Sequence, residues 1–424
     1  MDLALDARGH WDGLIVLCAA NRYDSVKVAD QHLAERLCQL APVLYVDPPM
    51  SRLTAARRPD AAAALHGPRL RVLQPGLARL TPVVQPFPSR AGLTGMTSAL
   101  TRHHLRRAAA RLGGRVRAVI SGWPQYPVFG SCGEQISVYW AQDDFVGGAA
   151  LLGLNATLLD TRERQVAARA DLVVAANPVV ADTWQRRGLG PVLIPFGADV
   201  DAYRDVERAP LPDDARLAGP VAGFVGRIND RTDLSLLEEI AGRGRSLLLV
   251  GPKKPAFEPE RFEALVQRSN VRWVGEQPFG ALPGYLRAID VGVVPYRDSP
   301  FNRSSFPLKA LEYLAAGRAV VSTDLPAIRW LATDLVTVAA GPASFGDQVD
   351  RLLAEPRTPA MVAHRQQFAA RHSWARRAAD MYDAILDAPP HPTTLQPPAS
   401  AGHPTTPQPP PTGPNGKREV DQYG

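Results

Sequence analysis

A lone Lys and a lone Glu stand three residues apart in SSFPLKALEYLAAGRAVVSTDLP, residues 304–326. Both Lys309 and Glu312 interrupt an otherwise apolar helical pattern. The chain uses Lys only five times among its 48 basic residues, so a Lys here carries information that another Arg would not. An ammonium in the first helical turn, beside amides with no intrahelical acceptor, suits an anion such as phosphate. A carboxylate one turn deeper can accept two hydrogen bonds from the diol of a ribose. The competing interpretation is a pair of solvated charges on an amphipathic helix.

Such a pair needs a strand, a loop and a helix start to aim it. DVGVVPY (290–296) has the composition of a strand, and the loop RDSPFNRSSF follows. Pro307 fits the first helical position, with Ser305 or Phe306 as cap. The helix is expected to reach about Ala316, with Gly317 as its left-handed stop before the strand AVVST. Apolar runs of this kind recur along the chain, at 14–20, 43–47, 70–75, 117–122, 136–141, 171–176 and 192–195, and again at 221–226, 246–251, 271–275 and 335–339. Apolar on both faces and separated by helical patterns, they predict buried parallel strands with helical crossovers. A polar, Pro-rich connector (199–220) divides them into two series, which predicts two doubly wound α/β domains facing a cleft. Ligands in such sheets sit beyond the carboxyl ends of the strands, so the loops there are the places to look for chemistry.

Several of those loops carry candidates. In FVGRIND (224–230), Gly226 permits close backbone approach and Arg227 can grip a diphosphate bidentately. No dinucleotide fingerprint is present, because GFVGRI is not G-x-G-x-x-G. GPKKP (251–255) reads best as a solvated turn. Near the first helix start, Gln31 and His32 can meet a sugar hydroxyl, although a lone His is more often structural. YWAQDDFVGG (139–148) puts Asp143 and Asp144 just past a strand, where they either position an acceptor hydroxyl or cap a turn. They do not form a D-x-D metal motif.

Composition narrows the function classes. Net charge is +6, which suits acidic small molecules, anionic membranes or nucleic acid without choosing among them. The three cysteines, Cys18, Cys38 and Cys132, have neither metal spacing nor an even-numbered framework, so a reduced cytoplasm is expected. MDLALDARGH does not read as a signal peptide, and no run approaches a membrane span. The basic patterns at 98–117 and 51–59 suit a solvated face or the inner membrane surface. No aromatic stacking motif points to nucleic acid. The stretch from Pro389 to Gly424 carries eleven prolines and is expected to be a disordered tail.

FPLKALEYLAAGRAVVSTDLP resembles the nucleotide-sugar signature of the retaining group-one glycosyltransferases, which have the GT-B fold. The nearest likeness is to bacterial enzymes of surface-polysaccharide synthesis, of the teichuronic-acid type. In that family two glutamates flank a short turn in an E-x7-E pattern. Glu312 matches the second, which contacts the ribose. Phe306, Pro307 and Leu308 stand in the turn whose amides hold the diphosphate, with Ser305 and Lys309 beside it. The first glutamate, on the donor sugar, is replaced by Ser304. The family's Lys five residues after Arg227 is replaced by Thr232, with Arg231 or Lys309 as the compensating cation. Gly275 matches a turn lying against the base, and Trp374 a packing anchor on a helix crossing back to the first domain.

The resemblance covers about residues 11–388 and implies an acceptor domain (1–198), a linker (199–220), a nucleotide-sugar domain (221–372), a returning helix (373–388) and the tail. It also implies a metal-independent glycosyltransferase with no bound cofactor, a nucleotide-diphosphate sugar as donor, and a saccharide or lipid-linked saccharide as acceptor. Asp144, His32 and Arg227 are expected at the chemistry. The alternatives are an epimerase or hydrolase of the same fold, or a non-catalytic nucleotide-sugar-binding subunit.

Overall fold

Each apolar run anticipated above carries a strand. In chain order the first half has β1 (Leu14–Cys18), β2 (Val43–Val46), β3 (Met50–Ser51), β4 (Leu70–Gln74), β5 (Leu77–Leu80), β6 (Val83–Val84), β7 (Val116–Ser121), β8 (Ile136–Ala141), β9 (Leu172–Ala175) and β10 (Val192–Leu193). The second half has β11 (Val221–Val225), β12 (Ser246–Val250), β13 (Val271–Trp273), β14 (Val291–Val294), β15 (Ala319–Ser322) and β16 (Val336–Val338). These assignments come from a computed structural model that describes residues 10–57, 62, 65, 67–88, 92–149 and 153–389. The first nine residues, the end of the Arg-bearing stretch 51–59, whose residues Arg52–Arg57 are helical, and the Pro-rich tail from residue 390 lie outside the described residues.

The first sheet has the order β10-β9-β8-β7-β1-β2-β5-β4 and the second β13-β12-β11-β14-β15-β16, with β3 and β6 as a small separate ribbon. In both sheets the strand order reverses beside the first strand of the half. Strands β1 and β11 each lie between strands reached by crossovers in opposite directions, which opens a crevice at their carboxyl ends.

One expectation needs correction. LRVLQP is not a buried parallel strand: β4 pairs antiparallel with β5 and is half-exposed. The link between them is Pro75 and Gly76 alone, and so short a link can join only antiparallel neighbours. The connector 199–220 is itself structured. It forms a helical turn (Val200–Tyr203) and two 3-10 turns, with Tyr203, Val206 and Ala215 buried. It is held to the second half by Arg318 on Glu207 (2.7 Å), Arg287 on the Ala209 carbonyl (2.7 Å) and Tyr285 on Asp214 (3.1 Å).

The halves meet where the chain crosses twice. Ala198 and Ser373 form a parallel bridge. Above it, Phe196 packs on Trp374 and Phe306, and Phe306 on Trp330. One apolar cluster therefore runs without a break from β1 of the first half to the helix Leu308–Ala315 of the second.

Candidate functional site

The crevice of the second sheet is built from three Gly turns and one helix start. Gly226, Gly251 and Gly275 end the neighbouring strands β11, β12 and β13, and are stitched by Gly226 N–H to Val250 C=O (2.8 Å) and Gly251 N–H to Gly275 C=O (2.7 Å). Gly226 approaches Lys309 closely: a Cβ there would lie 3.6 Å from the Lys309 Cε.

Strand β14 feeds a short helix, Pro300–Arg303, capped by the Ser299 hydroxyl, and then the signature helix Leu308–Ala315. Neither Ser305 nor Phe306 caps that helix. Pro307, at φ −80 and ψ 77, makes an inverse γ-turn in which the Leu308 N–H donates to the Phe306 carbonyl (2.9 Å). Pro307 has no N–H and that of Leu308 is used. The turn amides with no protein acceptor among the described residues are those of Phe306 and Lys309. Tyr313 fixes the helix against the sheet. Its hydroxyl accepts from Val225 N–H (2.8 Å), and its ring fills the space that a side chain at Gly292 would occupy.

Lys309 Nζ donates to Glu312 Oε2 at 2.7 Å, with side chains 24% and 14% exposed. Burial pushes the Lys309 ammonium down, but the Glu312 charge and hydrogen bond outweigh it and the net shift is upward. The two groups assigned by sequence to one ligand thus pair with each other, and both side chains stay partly exposed.

From the first half, the loops after β8 and β9 reach across. Ser305 donates to Asp143 Oδ1 (2.9 Å), the Asn177 amide donates to the Ser304 carbonyl, and the Ser304 hydroxyl lies 3.4 Å from Asp144 Oδ2. Asp144 also accepts from Gly147 N–H (2.7 Å), so it closes its own turn. Ser304 is 2% exposed. Burial first, against the nearby Arg231 charge and the Ser305 hydrogen bond, raises Asp143 to about 6.

His32 and Gln31 are both buried. Gln31 is spent on its own loop, accepting from Val28 N–H and donating to the Arg22 carbonyl. His32 stacks on Trp374, meets Phe279 edge-on and lies 3.6 Å from Asp199. Burial, then Lys27, Arg36 and Lys309, lowers it to about 3, so it is a neutral packing group near neutral pH. Arg227 is exposed. Lys254 pairs with Asp230 in a solvated turn.

Sequence reasoning missed Asn177 and a buried carboxylate, Asp30, which accepts from Asn21 (3.1 and 2.8 Å) and Gln142 (2.8 Å). Asp30 ties the loop after β1 to the residue just before Asp143. The helical register of Asp30 beside Gln31 and His32 gave no warning, because only the fold brings Gln142 to it.

Residues 219–355 match the family model described as glycosyl transferases group 1. The putative teichuronic acid biosynthesis glycosyltransferase TuaH of Bacillus subtilis is 39% identical over 110 residues, 26% of this chain and 28% of that protein. The phosphatidyl-myo-inositol mannosyltransferase of Mycolicibacterium smegmatis is 29% identical over 164 residues, 37% of this chain and 40% of that one. The chain thus spans well under half the length of these curated relatives. Among solved structures, a sucrose-phosphate synthase from Thermosynechococcus elongatus superposes with TM-score 0.66 at 19% identity, covering 87% of this chain and 97% of that one. Anabaena HepE, solved in complex with UDP and glucose, superposes with TM-score 0.62 at 13% identity, covering 89% and 100%. These likenesses give the fold, two facing doubly wound domains of the GT-B type.

Proposed function

Starting from a chain whose residues 219–355 form a group 1 glycosyl transferase domain on a GT-B fold, we propose that it moves a sugar from a nucleotide-diphosphate sugar to an acceptor hydroxyl in polysaccharide or glycolipid synthesis. The observation that carries this reading is the Lys309–Glu312 pair at the start of the signature helix, 2.7 Å apart and with both side chains partly exposed. Donor binding exchanges one partner for two: a phosphate takes the ammonium, and the ribose diol takes the carboxylate. The free amides of Phe306 and Lys309 and the helix dipole add to the field on the diphosphate. Both the teichuronic-acid protein and the mannosyltransferase are named for surface polymers or lipids, which supports an acceptor of that class.

The first half holds the acceptor, and its basic helix Thr94–Leu112 rests on the inner membrane surface. The transfer retains configuration and needs no metal. The departing diphosphate oxygen takes the acceptor proton on the face where the new bond forms, so no side-chain nucleophile is required. The protein contributes alignment and stabilisation of the leaving charge.

Calorimetry with UDP, GDP and dTDP and their sugars tests the reading. One series should bind, and Glu312→Ala should lose about tenfold or more of that affinity, the worth of one or two charged hydrogen bonds, while circular dichroism stays unchanged. Equal affinity in wild type and variant would remove Glu312 from the site.

A further inference from the structure

The first half holds a second concavity, of about 520 Å³, away from the donor crevice. It lies between the helix Thr94–Leu112, the helix Ala156–Ala167 and the loop that follows β7. Small-molecule pockets span roughly 300–1,000 Å³, so the size suits one compact ligand. Thr94, Gly95, Gln125, Arg162, Val166 and Arg169 are among its walls, and no carboxylate is among the described residues that line it.

Three kinds of polar group meet there unsatisfied. Gln125 is 7% exposed, and its side-chain amide has no hydrogen-bond partner among the described residues. Buried amides normally have one, so a ligand or solvent must supply it. The helix Thr94–Leu112 starts with no side-chain cap and no acidic residue in its first turn. The Thr94, Gly95 and Met96 amides have no acceptor among the described residues, so the positive end of the helix dipole borders the cavity. Arg162 spends one terminal nitrogen on the Thr94 hydroxyl (3.2 Å). Neither Arg162 nor Arg169 forms an ion pair among the described residues, whereas their neighbours Arg164 and Arg187 both pair with Asp160.

Helix amides and a guanidinium only donate, and together they match the several oxygens of a phosphate. An amide side chain both donates and accepts, as a hydroxyl beside that phosphate requires. We propose that this cavity binds a phosphate ester of a polyol, taken either from solution or from the headgroup of a phospholipid. The phosphate sits at Arg162 and the start of the helix Thr94–Leu112, a hydroxyl of the ester meets Gln125, and the exposed Arg169 adds charge. Trp123, two residues before Gln125, packs edge-on against Phe145 at 5.0 Å. The cavity therefore backs onto the loop that carries Asp143 and Asp144, and its occupation does not depend on the donor-site reading.

Two probes test this on the full chain: glycerol 3-phosphate by calorimetry, and phosphatidylcholine vesicles with or without phosphatidic acid by co-sedimentation. The wild type should bind the free ester or the phosphatidic acid vesicles, and Arg162→Gln should lose about tenfold or more of that affinity. Gln125→Leu, which keeps the volume and removes the amide, should lose severalfold. Arg164→Gln, on the same helix but paired with Asp160, should bind as the wild type does. Free-ester binding without vesicle binding identifies a soluble ligand, and vesicle binding that Arg162→Gln removes identifies a lipid. Binding of neither probe overturns the assignment, as does full ester affinity in Arg162→Gln. Vesicle binding that survives Arg162→Gln, with none for the free ester, is surface charge alone and also overturns it. An equal loss of ester binding in Lys309→Ala would put the phosphate in the donor crevice instead.

Discussion

The imidazole of His32 lies flat against the Trp374 indole, with planes 3° apart and centroids at 5.5 Å. Its ionisation is costly there, because burial and three surrounding cations oppose it. Since the folded pKa is depressed to about 3, the unfolded chain carries a proton that the folded chain does not, between that value and 6.5. The stabilisation is complete above pH 6.5 and is lost as pH falls towards 3, at about 1.4 kcal/mol per unit. His372, lowered to about 4 by burial and by Arg377 and Arg371, acts in the same sense. Urea midpoints measured from about pH 7 down to about pH 4 should therefore fall, and His32→Gln should flatten the slope. An unchanged slope would mean that this imidazole is hydrated in solution.

The signature helix is short, eight residues, so its ends decide its position. Pro307 starts it by fixing φ, and Gly317 stops it at φ 73 with its N–H on the Leu314 carbonyl. A Cβ at Gly317 would stand 2.6 Å from Val362 Cγ1, on the helix Pro359–Arg371 that packs across it. Gly317→Ala combines left-handed strain with overpacking, and should cost about 1–3 kcal/mol. Gly190→Ala, where nothing lies within 4 Å and φ is not left-handed, is the matched control and should be nearly neutral. Thermal melts of the two variants give the comparison. Similar melting temperatures would show that the helix end tolerates displacement.

At the scale of the whole molecule, the aromatic seam of Phe196, Phe306, Trp330 and Trp374 joins the halves beside the candidate donor site. Trp374 is 2% exposed and touches both the crossing segment and the first helix through His32. Trp374→Ala should lower stability by about 3–5 kcal/mol. It should also move the His32 pKa upward from about 3 towards 6.5, as water reaches the ring. The imidazole resonances in a pH titration report this directly. A melt that drops with no movement of those resonances would place the lost packing elsewhere.

The sequence alone determined the strand runs, the two-series organisation, and the pairing of a helix start with Lys309 and Glu312, because these depend on local composition and on spacing along one element. It could not reveal that β4 turns back against β5, since register beside a Pro-Gly turn depends on the neighbouring strand. Nor could it show that His32 lies against Trp374, that Asp143 is bonded across the halves by Ser305 while Asp144 closes its own turn, or that Arg231 is clamped while Arg227 is exposed. Each of those depends on residues more than 60 positions away: Trp374 for His32, Ser305 for Asp143, and Tyr296, Phe301 and Asn302 for Arg231. Residue type and spacing fix which groups are available for chemistry. Burial and partners fix which of them are charged, aimed and free, and those exist only once distant segments have packed.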